Sequence, residues 1–225
     1  MHRKIIITDD GSSTIYLPEW NEQYHSIHGA IQEAKHVFIK HGLYHVIAKN
    51  SIKDITILEI GFGTALNAFI TLLEAEKLNL NIDYYSVEAY PISMGEISQL
   101  NYPDQLNALD KNDIFIKLHE VSWGFNHEIT TNFQLQKEKK DFFKIENKNT
   151  FNLIYFDAFG ARVQPELWTE AIFRIMYKAL KNNGVLVTYC AKGSVRRAMQ
   201  SVGFIVERLE GPPGKREMLR ATKWT

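Results

Sequence analysis

Apolar positions along this chain fall into short blocks whose internal spacing alternates between strand-like and helix-like. Ile5-Ile6-Ile7 and Thr14-Ile15-Tyr16-Leu17 flank the turn cluster Asp9-Asp10-Gly11-Ser12, which predicts a β-hairpin over Lys4 to Pro18. Ile27, Ala30, Ile31, Ala34 and Phe38 lie near a 3.6-residue period, so Ile27 to Ile47 reads as helix until Asn50-Ser51 breaks it. Ile55 to Ile60 and Asp83 to Glu88 read as strands joined through a crossover helix from Ala65 to Leu78. Pro91 to Leu109 predicts a helix broken near Pro103, Ile114 to Val121 fits helix or strand, and Ile129 to Gln136 alternates as a third strand. Phe151 to Phe156 is almost continuously apolar, the pattern of a strand covered on both faces. Pro165 to Leu180 predicts a helix with proline in its first turn; Asn182-Asn183-Gly184 stops it before a strand from Val185 to Tyr189. Ser194 is expected to cap a helix ending at Gly203. Phe204 to Leu209 and Met218 to Ala221 then close as an antiparallel pair around Gly211-Pro212-Pro213-Gly214.

Alternating strands and helices followed by a hairpin predict an α/β fold: a Rossmann-like, mostly parallel sheet with a reversed C-terminal edge strand. Residues 1–50 form a hairpin-and-helix extension packed on a core domain of residues 51–225. Ligands of such sheets sit beyond the carboxyl ends of the strands. Four acids, Glu59, Glu88, Asp141 and Asp157, fall at or just past predicted strand ends.

Glu59-Ile60-Gly61-Phe62-Gly63-Thr64-Ala65-Leu66-Asn67 reads as strand, glycine loop, helix N-terminus. The glycines permit a sharp turn and a close approach to a ligand, and the free N–H groups of the helix start face it. No Gly-Lys-Ser/Thr closes the loop, so it is not a P-loop, and Leu66 stands where a dinucleotide fingerprint has its third glycine. An acid two residues before Gly61-x-Gly63 resembles the loop of S-adenosylmethionine-dependent methyltransferases. That cofactor needs an acceptor for its ribose hydroxyls, for which Glu88 is the candidate, and one for its adenine amino group, for which Asp141 is the candidate. Asp157 emerges abruptly from an apolar strand with Phe159 close behind. An acid and an aromatic there suit an amine acceptor, the carboxylate orienting or deprotonating the amine and the ring packing on its substrate.

Charge and cysteine content narrow the setting. Lys and Arg number 26, as do Asp and Glu, so the net charge does not point to a polyanion. From Lys192 to Lys223, however, eight Lys/Arg face three Asp/Glu, a local basic patch able to hold one. The lone cysteine, Cys190, excludes a disulfide framework and is expected to be a buried small residue of a cytoplasmic protein. The apolar run after Met1 is too short for a signal peptide, and we expect no membrane span. His25, His28, His36, His41 and His45 cluster without cysteines or paired acids, and we expect no metal.

Several pieces in one order resemble the methyltransferase domain of the MnmC family of tRNA-modifying enzymes: the Glu59–Asn67 loop, Tyr155-Phe156-Asp157-Ala158-Phe159, Pro165-Glu166-Leu167-Trp168-Thr169, Val195-Arg196-Arg197, Gly203-Phe204 and Gly214-Lys215-Arg216-Glu217-Met218. The resemblance implies a class I fold and N-methylation, from S-adenosylmethionine, of 5-aminomethyl-2-thiouridine at the tRNA wobble position. Carried over, Gly61, Gly63 and Glu88 would hold cofactor, and Glu59, Asn67 and Asp141 are expected to join them. Asp157 would meet the aminomethyl group, and Phe159 would pack on the substrate; by their place near the catalytic edge, Arg196, Arg197, Lys215 and Arg216 are expected to grip the anticodon region of tRNA. We expect a monomer without the flavin-dependent domain of the bifunctional enzyme. Ala65 replaces a frequent glycine, which we expect to matter little at a helix start, and Lys192 enlarges a turn usually built of small residues. A small-molecule amine methyltransferase and a catalytically silent RNA-binding relative are the alternatives.

Overall fold

The computed structural model describes residues 2–224. Strands β1 (Lys4–Ile7), β2 (Ser13–Leu17) and β3 (Glu22–Gln23) form a small antiparallel sheet. One long helical segment follows: α1 (Ala30–Ala34), a π-helical middle (Lys35–Leu43) and α2 (Tyr44–Asn50). Then come β4 (Asp54–Ile60), α3 (Leu66–Leu78), β5 (Asn81–Glu88), the short helices α4 (Met94–Ile97) and α5 (Tyr102–Gln105), and α6 (Asn112–Glu120). The rest of the chain supplies β6 (Asn126–Thr130), β7 (Phe133–Lys139), β8 (Phe151–Phe156), α7 (Glu170–Ala179), β9 (Leu180–Thr188), α8 (Gly193–Ser201), β10 (Phe204–Glu210) and β11 (Glu217–Lys223).

The main sheet has the order β10-β11-β9-β8-β4-β5-β7-β6. Strands β9, β8, β4, β5 and β7 are mutually parallel. The chain leaves β4 for β5 on one side and later returns to β8 on the other. The carboxyl ends of β4 and β8 therefore flank the crevice where the winding direction reverses, the place such sheets bind ligands. The reversed C-terminal strand β11 sits one in from the edge, between β9 and β10, and β6 reverses the opposite edge.

One sheet face, with Ile55, Ile57, Tyr155 and Val187, packs against the Ala30–Asn50 helical segment, α3 and α6. The other, with Leu58, Ile60, Ile154 and Phe156, packs against α7 and α8. The Ala30–Asn50 segment thus shares a core with the sheet. Among the described residues no helix is long and apolar enough to cross a membrane.

Local expectations fail where a turn is compact or a helix tightens. The single strand expected over Ile129 to Gln136 is a hairpin of β6 and β7, turned at Thr131-Asn132, because two polar residues suffice to reverse the chain. The helix expected over Pro165 to Leu180 is a 3-10 turn, Pro165–Trp168, and then α7; Thr169 is extended between them. Asn182-Asn183-Gly184 lies inside β9, where Asn183 has φ +62° and the pairing with β8 shifts register. Lys192, not Ser194, occupies the cap position of α8.

Ala65 corrects a larger expectation. It caps α3 in the left-handed region (φ +58°) and is fully buried. That conformation costs an L-residue roughly 1–2 kcal/mol, which is why glycine suits the position. Ala65→Gly is expected to stabilise the fold by about 1 kcal/mol, net of glycine's larger unfolded-state entropy. A melting temperature unchanged or lowered in thermal unfolding would contradict that reading.

Candidate active site

A cavity of about 480 Å³ opens at the β4/β8 crevice. Its floor is the glycine loop. Gly61 has φ +92°, and a β-carbon there would stand 3.0 Å from the Asp157 carbonyl oxygen. Only glycine lets the ends of β4 and β8 come this close. Asp157 N–H donates to the Ile60 carbonyl at 3.1 Å, stitching these two strand ends, and Gly61 N–H ties the loop to β5 at the Val87 carbonyl, 2.9 Å away.

Glu88, ending β5, accepts from Gly63 N–H at 3.1 Å through Oε2 and from Tyr90 N–H at 2.8 Å through Oε1. Thr64 is held from two sides, by the Tyr102 hydroxyl at 3.1 Å and by His25 Nε2 at 2.7 Å. Burial lowers the His25 pKa to about 4, so this is a contact of a neutral imidazole. Asp141 lines the cavity too, while its Oδ1 caps the following turn by accepting from Phe143 N–H at 2.8 Å.

Asp157 forms the opposite wall. Asn67 Nδ2 donates to its Oδ2 at 2.8 Å. Burial is the main force on its carboxyl, and the Glu33 charge adds to it; the Asn67 hydrogen bond and the Lys215 charge oppose them, leaving the pKa raised to about 7. The segment after it is rigidly held: the Ala158 carbonyl accepts from the Tyr189 hydroxyl at 2.8 Å, and the Phe159 carbonyl from Trp168 Nε1 at 2.8 Å.

The N-terminal sheet supplies groups that the sequence reading did not single out. Tyr24 and Trp20 meet Phe159 edge-to-face, with ring centroids 5.0 and 5.6 Å apart, and all three line the cavity. Arg162 ties the two elements together, its Nη2 donating to the Trp20 and Asn21 carbonyls and to Glu22 Oε2. Arg3, also in the wall, donates to the Tyr90 carbonyl at 2.9 Å. Tyr24 and Trp20 stood in an aromatic-rich stretch, but nothing in that stretch marks it as returning to the sheet's carboxyl edge.

Gly61, Gly63, Asn67, Glu88, Asp141, Asp157 and Phe159 line this one cavity. Glu59 does not join them in the wall. It is fully buried beneath the loop, because the last residues of β4 pack inside the sheet. Lys215, expected to meet phosphate, is half-buried, its Nζ paired with Glu33 and 3.9 Å above the Tyr189 ring. Arg197 and Arg216 are exposed, and Arg196 is half-buried. Cys190 is buried, as expected.

A profile of S-adenosyl-L-methionine-dependent methyltransferases matches residues 116–224. The tRNA 5-methylaminomethyl-2-thiouridine biosynthesis bifunctional protein MnmC of Cupriavidus metallidurans is 28% identical over 95% of the chain, and that of Leptospira interrogans 28% over 89%. The crystal structure of MnmC2 from Aquifex aeolicus superposes with a TM-score of 0.80 at 26% identity, covering 98% of this chain and 69% of that one. The chain is similar to the methyltransferase part of these MnmC proteins. Spermidine synthase from Thermotoga maritima, at TM-score 0.55 and 13% identity, shares the fold alone. The chain spans about a third of the length of its curated MnmC relatives, 33% of the Cupriavidus protein.

Proposed function

We propose that this MnmC-like methyltransferase N-methylates the aminomethyl group of 5-aminomethyl-2-thiouridine at the tRNA wobble position. The observation that carries the reading is one cavity that joins a glycine loop to a carboxylate with a pKa near 7 and an aromatic wall.

The cavity's residues fit S-adenosylmethionine. A β-carbon at Gly63 would crowd Tyr24 at 3.2 Å, so the loop is a cradle that side chains would fill. Gly61, Gly63 and the start of α3 would hold the amino-acid part, Glu88 the ribose hydroxyls, and Asp141 the adenine edge, with exposed Tyr90 and Phe143 at the mouth offering ring faces. When bound, the cofactor supplies an electrophilic methyl group on a sulfonium.

Asp157 does the chemistry that belongs to the chain. An aminomethyl group arrives mostly as an ammonium and must lose a proton before its lone pair can attack. An ordinary carboxylate is a poor acceptor at neutral pH; one titrating near 7 is well matched. The held carbonyls of Ala158 and Phe159 fix the carboxylate in place, so that positioning supplies much of the acceleration. Trp20, Tyr24 and Phe159 would exclude water and pack on the base.

We expect a monomeric enzyme working in the cytoplasm, where tRNA is, and methyl transfer from a sulfonium to an amine needs no metal. The decisive test is to incubate the protein with labelled S-adenosylmethionine and tRNA from a strain lacking the modification, then analyse digested nucleosides. Label in 5-methylaminomethyl-2-thiouridine is expected. Label transferred only to free amines would favour the small-molecule alternative, and no transfer a silent relative.

Glu88→Ala is expected to weaken S-adenosylmethionine binding by about 1–3 kcal/mol, from lost charge-assisted hydrogen bonds and a loosened Gly63. Calorimetry checks it; wild-type affinity would remove Glu88 from the site.

A further inference from the structure

A polar cluster lies sealed beneath the cavity, in the middle of an apolar sheet. Glu59 Oε2 accepts from the Ser86 hydroxyl at 2.9 Å, while Oε1 has no donor. Asn67 Oδ1 and the Tyr84 hydroxyl are likewise buried without partners. Asn67 and Tyr84 both reach Glu59. The Asn67 amide thus stands between two carboxyls: Asp157, to which it donates at 2.8 Å, and Glu59. No cation pairs with Glu59 among the described residues, and an unpaired buried charge is too costly to keep. Burial first, and the Asp157 charge after it, raise its pKa well above the ordinary glutamate value despite the Ser86 hydrogen bond. Burial therefore favours its neutral form, which can both accept and donate.

We propose that Asn67 and Glu59 are positioning residues for Asp157: the Asn67 amide clamps the Asp157 carboxylate with an N–H, and the Glu59 carboxyl anchors that amide from below. The anchor matters because an amide is nearly symmetric in shape. Turned over, Asn67 would set its carbonyl oxygen against the carboxylate and repel the ionised form that the amine needs. A protonated Glu59 offers a hydrogen-bond donor to partners left without one, and so selects one amide orientation. This assigns the two residues to the acid rather than to the cofactor, and it rests on the methyl-transfer reading above.

The environment of Asp157 otherwise includes Glu33 from α1, Lys215 from the turn between β10 and β11, Tyr189 after β9, Tyr102 from α5 and Tyr84 from β5. None of these changes in the variants that follow. With Asn67→Ala, Asp157 loses the bond that favours its ionised form, and its titration midpoint is expected to rise by roughly one pH unit. Glu59→Leu, which frees the amide, should move it upward as well. Glu59→Gln, which keeps shape and hydrogen-bonding capacity, should restore the wild-type midpoint.

The readout is carbon-13 NMR titration of aspartate-labelled, ligand-free protein, the Asp157 signal being assigned through Asp157→Asn. The pH dependence of single-turnover transfer at saturating S-adenosylmethionine provides a second measure. Asn67→Ser replaces the alanine variant if that one does not fold. An unmoved midpoint in the Asn67 variant would overturn the clamp. A midpoint lowered by Glu59→Gln would overturn the anchor, since it would reveal an ionised Glu59. A wild type that methylates no tRNA would sink the functional reading while leaving the titration interpretable.

Discussion

Asp157→Asn is expected to slow methyl transfer by about 10²- to 10⁴-fold, the range for removing a general base, while leaving S-adenosylmethionine affinity close to wild type. The substitution keeps the size of the side chain and an oxygen that can accept from Asn67 Nδ2. It removes only the ability to take a proton. The wild-type single-turnover rate should fall as pH drops through about 7, because the carboxylate form is then lost. The same substitution should stabilise the protein at alkaline pH. The folded-state pKa of Asp157 lies above its unfolded value, so the unfolded chain releases this proton more readily. Its ionisation therefore weakens the fold as pH rises from about 4 toward about 7, and the full penalty applies above that. Asparagine escapes the penalty. The variant should melt higher than wild type at pH 8, and the difference should vanish near pH 4. Equal melting temperatures at pH 8 combined with a wild-type rate would reduce Asp157 to a turn residue.

A gain in stability with a loss of activity is what a site held under strain for function predicts. It also explains why this residue stood out in the sequence. An acid directly after six nearly apolar residues has no packing reason to be there, so its oddity was visible without a structure. Glu88 and the glycine pair were legible for a related reason, because strand ends in a parallel sheet leave few places for a ligand. What was not legible depended on distance in the chain. Trp20 and Tyr24 reach the cavity because the β1–β3 sheet folds over the carboxyl edge of the main sheet and Arg162 fastens it there. No local periodicity encodes that return. Glu59 belongs to a recognisable loop, but its position one residue from the end of β4 puts it under the floor rather than in it. Lys215 shares a basic segment with Arg216, and alternation along the chain gave no sign that one turns inward and the other outward.

That last difference shapes how the protein should hold tRNA. Strand β10 runs parallel to β9, since each pairs antiparallel with β11, so the turn carrying Lys215 and Arg216 lies at the same end of the sheet as the cavity. Helix α8 starts at that end too, with Lys192 exposed at its cap and Arg197 exposed in its first turns. Arginine's planar fork suits phosphate, and exposed cations near a base pocket release counterions when RNA binds. The double variant Arg197→Ala/Arg216→Ala is expected to weaken tRNA binding about tenfold or more at low salt. It should also flatten the salt dependence by somewhat under one unit of slope per lost contact. S-adenosylmethionine affinity should not change. Lys215→Met should behave differently, because its partners are Glu33 and Tyr189. Its removal leaves Glu33 beside Asp157 without its cation, so the Asp157 pH midpoint should rise while the tRNA salt slope stays at the wild-type value. Fluorescence titrations of tRNA at several salt concentrations, run beside the pH profile, separate the two. If Lys215→Met flattens the slope and the arginine pair does not, the phosphate contacts run through the inner cation, and the outward-facing arginines play no part in holding tRNA.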